Sequence, residues 1–76
     1  MDVEIEYCVP CGFLDRAVVL QRHFLETFGE DLDRVALVTG DHGVFRVEAD
    51  GETLYDKHED GDYDPDELAR ALRARL

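Results

Sequence analysis

The two cysteines, Cys8 and Cys11, stand three positions apart at the point where one hydrophobic pattern ends and another begins. From Asp2 to Tyr7 the residues alternate, with Val3, Ile5 and Tyr7 on one side and Asp2, Glu4 and Glu6 on the other, which is the signature of a half-buried strand. After Cys11-Gly12 the spacing becomes helical: Phe13, Leu14, Ala17, Val18, Leu25 and Phe28, joined by Phe24, form the expected apolar stripe, closed by Gly29. The cysteines therefore sit at a strand-to-helix joint. A helix start carries unpaired backbone N–H groups and the positive end of the dipole, so it can stabilise a thiolate.

The rest of the chain limits how that joint is used. Seventy-six residues make a single domain, 1–76, near the size where one hydrophobic core is barely sufficient. Cross-linking so short a loop contributes little entropy, so a structural staple explains the pair poorly. No apolar run is long enough to span a membrane, and Met1-Asp2-Val3-Glu4 lacks the basic and apolar regions of a signal peptide, so a cytoplasmic location is expected. In a reducing compartment such a pair points to redox or metal chemistry.

Charge excludes two classes of partner. The chain has 19 acidic residues against 8 basic ones, a formal net charge of −11, and Lys57 is its only lysine. A polyanion of this kind repels nucleic acid and anionic membranes. Its self-repulsion fades in concentrated salt, where the Debye length falls to ~3 Å at 1 M, so an acidic, lysine-poor surface suits a salt-loaded cytosol. The expected source is a halophilic archaeal host.

Downstream, Val35 to Thr39 is an apolar, β-branched run of strand length, and the intervening helix makes it parallel to the first strand through a right-handed crossover. Gly40-Asp41-His42-Gly43 is a turn. Strand character returns from Val44 to Ala49 and, after the hairpin signal Asp50-Gly51, from Thr53 to about Asp56. A polar loop, Lys57 to Tyr63, leads to a helix with Asp64 as N-cap, Pro65 at the first position, and Leu68, Ala69, Leu72 and Leu76 on its buried side. The acidic alternation of the first strand leaves one sheet face in solvent, so both helices are expected on the other. The predicted fold is a two-layer α/β (α+β) arrangement, β-α-β-β-β-α, with a four-stranded mixed sheet in the order 2-1-3-4. This is the connectivity of a minimal thioredoxin-like fold.

At the joint, Pro10 fixes φ near the helical value and can start the helix, Gly12 follows the pair, and His42 lies at the cysteine end of the sheet, where it reads as a solvated loop histidine or, alternatively, as a group that tunes a thiol. The competing chemistry is zinc. One Cys-x-x-Cys supplies two of the four ligands a structural site needs, with His42 and His58 as the residues that would complete it or, alternatively, a metal or cysteine bridge between two chains. Nothing in the spacing demands either, and His23 sits amid charged neighbours. No phosphate-binding glycine loop or other cofactor motif is present.

Tyr7-Cys8-x-x-Cys11-Gly12-Phe13, Gly43-Val44-Phe45-x-Val47, Asp50-Gly51-Glu52, Tyr55-x-Lys57 and Gly61-x-Tyr63-x-Pro65 together resemble the landmarks of the selenoprotein W-like (Rdx) family, in order and over essentially the whole chain. The resemblance implies a thioredoxin-like fold and a thiol-based redox role with a small thiol or a redox partner protein. Selenium-containing relatives carry selenocysteine at the position of Cys11, which implies that Cys11 is the reactive atom. General thioredoxin logic favours Cys8 instead. The chain has no proline before Val44, and Gly40 to Gly43 fills the place where thioredoxins put one opposite the cysteines. A non-catalytic protein-interaction module is the alternative.

Overall fold

A computed structural model describes all residues, 1–76. The elements are β1 (Asp2–Cys8), α1 (Leu14–Phe28), a 3-10 turn over Gly29–Asp31, β2 (Arg34–Gly40), β3 (Phe45–Ala49), β4 (Glu52–Asp56), α2 (Lys57–Asp60) and α3 (Pro65–Arg73). The four strands form one sheet in the order β2-β1-β3-β4, as the patterning predicts. β1 runs parallel to β2 with Cys8 opposite Gly40, and antiparallel to β3 with Tyr7 opposite Phe45. The strand that ends in Cys8 is thus central, hydrogen-bonded on both sides.

The core follows from the period of the strands. Val3, Ile5 and Tyr7 on β1, and Phe45, Val47 and Ala49 on β3, all point to the face covered by α1 and α3 and are buried there. Tyr55 of β4 joins them. A register shift between Val47 and Glu48 lets β4 carry one extra residue, a bulge that keeps Tyr55 on the core side. The Asp50-Gly51 connection has positive φ at both residues, as a tight hairpin turn with the right twist demands.

The opposite face is open and charged, but not uniformly acidic. Arg46 is paired with Glu6 and lies 3.2 Å from Glu48, while Arg34 lies 3.3 Å from Glu4 and 3.6 Å from Asp2. Exposed pairs of this type contribute ~0–1 kcal/mol each. Their value here is to break up what would otherwise be an unbroken row of carboxylates along β1.

Three features differ from the sequence expectation. On α1 the buried stripe is Ala17, Leu20, Phe24 and Phe28, whereas Leu14, Val18 and Leu25 are exposed. The run Val18-Val19-Leu20 is apolar at three successive positions, so the pattern alone leaves the phase of the helix ambiguous, and the sheet selects Leu20. On the last helix Leu68, Ala69 and Leu72 are buried but Leu76, beyond the end of α3, is exposed. The expected loop after β4 begins with a single helical turn, α2, whose start is capped by Asp56 accepting from the His58 amide at 3.0 Å. The Asp64 cap of α3 forms as expected, accepting from the Asp66 amide at 2.9 Å, with Pro65 at the first position.

Candidate functional site

The central strand delivers Cys8 to the end of the sheet, and the chain then makes a tight turn before α1. The Gly12 amide donates to the Val9 carbonyl at 3.1 Å, so Val9-Pro10-Cys11-Gly12 is a β-turn with Pro10 in its second position. Pro10 therefore shapes the turn rather than starting the helix, which begins three residues after Cys11, at Leu14. Gly12 has φ +75°, a conformation that a residue with a Cβ adopts only at a cost. This geometry folds Cys11 back over Cys8. The two sulfurs are joined in a disulfide, with the Cα atoms 5.3 Å apart.

The two halves of that disulfide lie in different environments. Cys8 is completely buried, and Cys11 is exposed. Any reagent arriving from solvent meets the sulfur of Cys11 first. The start of α1 beyond it has no side-chain cap, since Phe13 occupies the N-cap position and offers no acceptor. The first-turn amides thus lack a side-chain partner and are the nearest helix-end donors to this turn.

The end of β2 and the residue before β3 clamp the turn from behind. The Cys8 amide donates to the Val44 carbonyl at 2.8 Å, and the Val9 amide donates to the Gly40 carbonyl at 3.0 Å. The segment from Gly40 to Val44 therefore lies directly against the cysteines. Gly40 is there for space: a Cβ on it would come 2.7 Å from Cγ1 of Val44 and 2.9 Å from Oε2 of Glu6.

His42 stands in that segment with positive φ, its ring 89% exposed, and its Nδ1 lies 2.7 Å from Asp41 Oδ1. The hydrogen bond to Asp41, reinforced by that carboxylate's charge, raises its pKa. Asp41 is its polar partner. His58 approaches Gly43 from α2, with Cε1 3.6 Å from the position of a Cβ there. His42, His58 and the cysteines are not gathered into a metal-ligating cluster. His23 lies between α1 and α3, 3.5 Å from Asp66.

A wall of aromatic rings flanks the turn. Phe13 meets Phe45 edge-on at 6.1 Å, Phe45 stacks on Tyr63 at 5.2 Å, and Tyr55 packs edge-on against both. Arg16 lies over the Phe13 ring at 5.2 Å. The residues of this wall are far apart in sequence. No local spacing links Arg16 on α1 to Tyr63 before α3, so the sequence carries no signal of this wall.

The Rdx family model matches residues 2–74. A Bordetella parapertussis protein of known crystal structure superposes with a TM-score of 0.96 at 39% identity, over 99% of this chain and 96% of that one. The crystal structure of a selenoprotein W-related protein from Vibrio cholerae gives a TM-score of 0.94 at 27% identity, over 97% of this chain and 94% of that one. No curated protein matches in sequence. Both structural relatives are bacterial, which lends no support to a halophilic archaeal source.

Proposed function

Because the chain belongs to the Rdx family and carries its two cysteines as a disulfide at the strand-to-helix turn, we propose that it is a thiol-disulfide redox protein in which Cys8 and Cys11 cycle between dithiol and disulfide. The observation that carries this reading is the asymmetry of the pair: Cys8 is completely buried, whereas Cys11 is an exposed residue.

In the oxidising direction, the Cys11 thiolate attacks a disulfide of a small molecule or partner protein and releases one of its sulfurs as a thiolate. Cys8 then attacks the Cys11 sulfur of the mixed disulfide, closes the internal bond and expels the second sulfur. The substrate gains two electrons, and the cysteine pair loses them. In reverse, an incoming thiolate attacks Cys11, Cys8 leaves as thiolate, and the mixed disulfide is resolved by a second thiol. Burial suits Cys8 to the intramolecular step, which needs no access from outside.

The helix start, rather than His42, is the feature that we assign to thiolate stabilisation, because the exposed ring of His42 is hydrogen-bonded to Asp41. Pro10 and Gly12 act by setting the turn. Val9 and Leu14, 51% and 48% exposed on either side of the turn, give a protein partner apolar ground next to Cys11. No helix is long and apolar enough to cross a membrane, and the acidic surface disfavours nucleic acid, so the proposed partners are a small thiol or a protein with a reactive cysteine.

The test is a trap. Cys8→Ser and Cys11→Ser proteins are each incubated with oxidised glutathione and with cell extract, and captured adducts are identified by mass. Stable adducts on the Cys8→Ser protein through Cys11 support the reading. Adduct formation by neither variant removes it, and capture only through Cys8 reverses the order of the sulfurs.

A further inference from the structure

In a chain with net charge −11, one cleft gathers cations. It opens between the first turn of α1, the end of β4 and the segment that leads into α3. Its volume is about 450 Å³, and it is lined by Arg16, Tyr55, Lys57, Asp62, Tyr63 and Pro65. Of the six other arginines, four are paired with carboxylates, Arg22 with Glu26, Arg34 with Asp2 and Glu4, Arg46 with Glu6 and Glu48, and Arg75 with Glu52, while Arg73 lies over the Phe28 ring at 5.6 Å and Arg70 faces solvent, and neither lines this cleft.

Arg16 and Lys57 are set apart by lining one cleft together. Arg16 lies over the Phe13 ring at 5.2 Å and has no carboxylate partner, so its N–H groups are not engaged by an ion pair. Lys57 has a side chain only 30% exposed, yet its ion partner, Asp62, stands 4.0 Å away with a side chain wholly in solvent. The lysine stem is packed against the cleft wall while its charge is only loosely paired, so an anion from outside can compete with Asp62 for it. The Tyr55 hydroxyl is committed to the Gly61 carbonyl. That of Tyr63 has no such partner, and burial raises its pKa, so it remains a donor at neutral pH.

We propose that this cleft binds a small molecule through an oxyanion, a phosphate or a carboxylate, with Arg16 and Lys57 as the paired cations and the Tyr63 hydroxyl as a neutral donor. Asp62 is the opposing charge in the site and limits its affinity. Phe13 lies in the short segment between Cys11 and α1, so the occupant sits beside the disulfide turn, with its binding independent of whether that turn is catalytic.

The probes are inorganic phosphate and succinate, titrated separately at low ionic strength and followed by amide and side-chain NMR shifts. Saturable shifts are expected at Arg16, Lys57 and Tyr63. Arg16→Gln and Lys57→Gln each weaken binding about fivefold or more, as removal of one charge-assisted donor does, and Asp62→Asn tightens it. The preference between phosphate and succinate assigns the class of oxyanion. Arg70, which faces solvent on α3, is the control. If Arg70→Gln weakens binding as much as Arg16→Gln, or if Asp62→Asn changes nothing, the attraction is diffuse and the proposed site does not exist.

Discussion

The amide of Cys8 donates to the carbonyl of Val44 at 2.8 Å, and this bond ties the buried sulfur-bearing residue to the turn that follows β2. With the Val9-to-Gly40 bond on the other side, the end of β1 is held by both neighbours before the chain turns through Pro10 and Cys11. The sulfur that faces solvent is thereby carried by a short turn, while its partner belongs to the rigid sheet.

Gly40→Ala tests that clamp. The added methyl would meet Val44 Cγ1 and Glu6 Oε2 well inside contact distance, and at least one side chain must move. Overpacking of this sort costs ~1–3 kcal/mol, so the variant is expected to unfold at lower denaturant concentration with an unchanged slope. A variant as stable as the parent would show that the Gly40–Val44 turn is loosely packed against the cysteines.

The reduced protein should have unequal thiols. Alkylation followed by peptide mass analysis is expected to modify Cys11 faster than Cys8, with a Cys11 pKa below the ~8.5 of free cysteine, because only Cys11 is exposed near an uncapped helix start. Faster modification of Cys8 would mean that reduction inverts the burial of the two residues.

His42 offers a pH readout independent of the cysteines. Its pKa is raised by the hydrogen bond and charge of Asp41. The folded-state value lies above the unfolded one, so the contribution of the pair to stability is present below an unfolded pKa of about 6.5 and is lost as pH rises through the folded value. An NMR titration should place the His42 midpoint above that of free histidine, and Asp41→Asn should return it downward. An unshifted midpoint in the parent would remove the pair.

Ionic strength should stabilise the fold. With a net charge of −11, self-repulsion is screened as the Debye length falls to ~3 Å in 1 M salt, so the melting temperature is expected to rise from dilute buffer to molar KCl. A flat or falling melting temperature would show that the Arg34 and Arg46 networks already relieve the repulsion.

The sheet was legible because β1 and β3 alternate cleanly: Val3, Ile5 and Tyr7, and Phe45, Val47 and Ala49, are buried as the period of two dictates. The helix phase was not, since Val18, Val19 and Leu20 all satisfy an apolar pattern and only contact with the sheet distinguishes them. α2 is too short for periodicity, and its one signal was Asp56 placed two residues before the His58 amide. At the site, the spacing of Cys8 and Cys11 located the chemistry, but Pro10 followed by Gly12 made a β-turn rather than a helix start. The family resemblance already pointed to Cys11, but the burial of Cys8 beside an exposed Cys11 is set by the turn's course in space, and the shared cleft of Arg16 and Lys57 has no local trace in the chain.

Equilibration of the protein in glutathione buffers of graded potential, with the thiols quenched and counted, tests the central claim most directly. The account predicts a single two-electron transition of the Cys8–Cys11 pair with a midpoint between about −180 and −300 mV. A pair that stays wholly reduced or wholly disulfide-bonded across that range would contradict it.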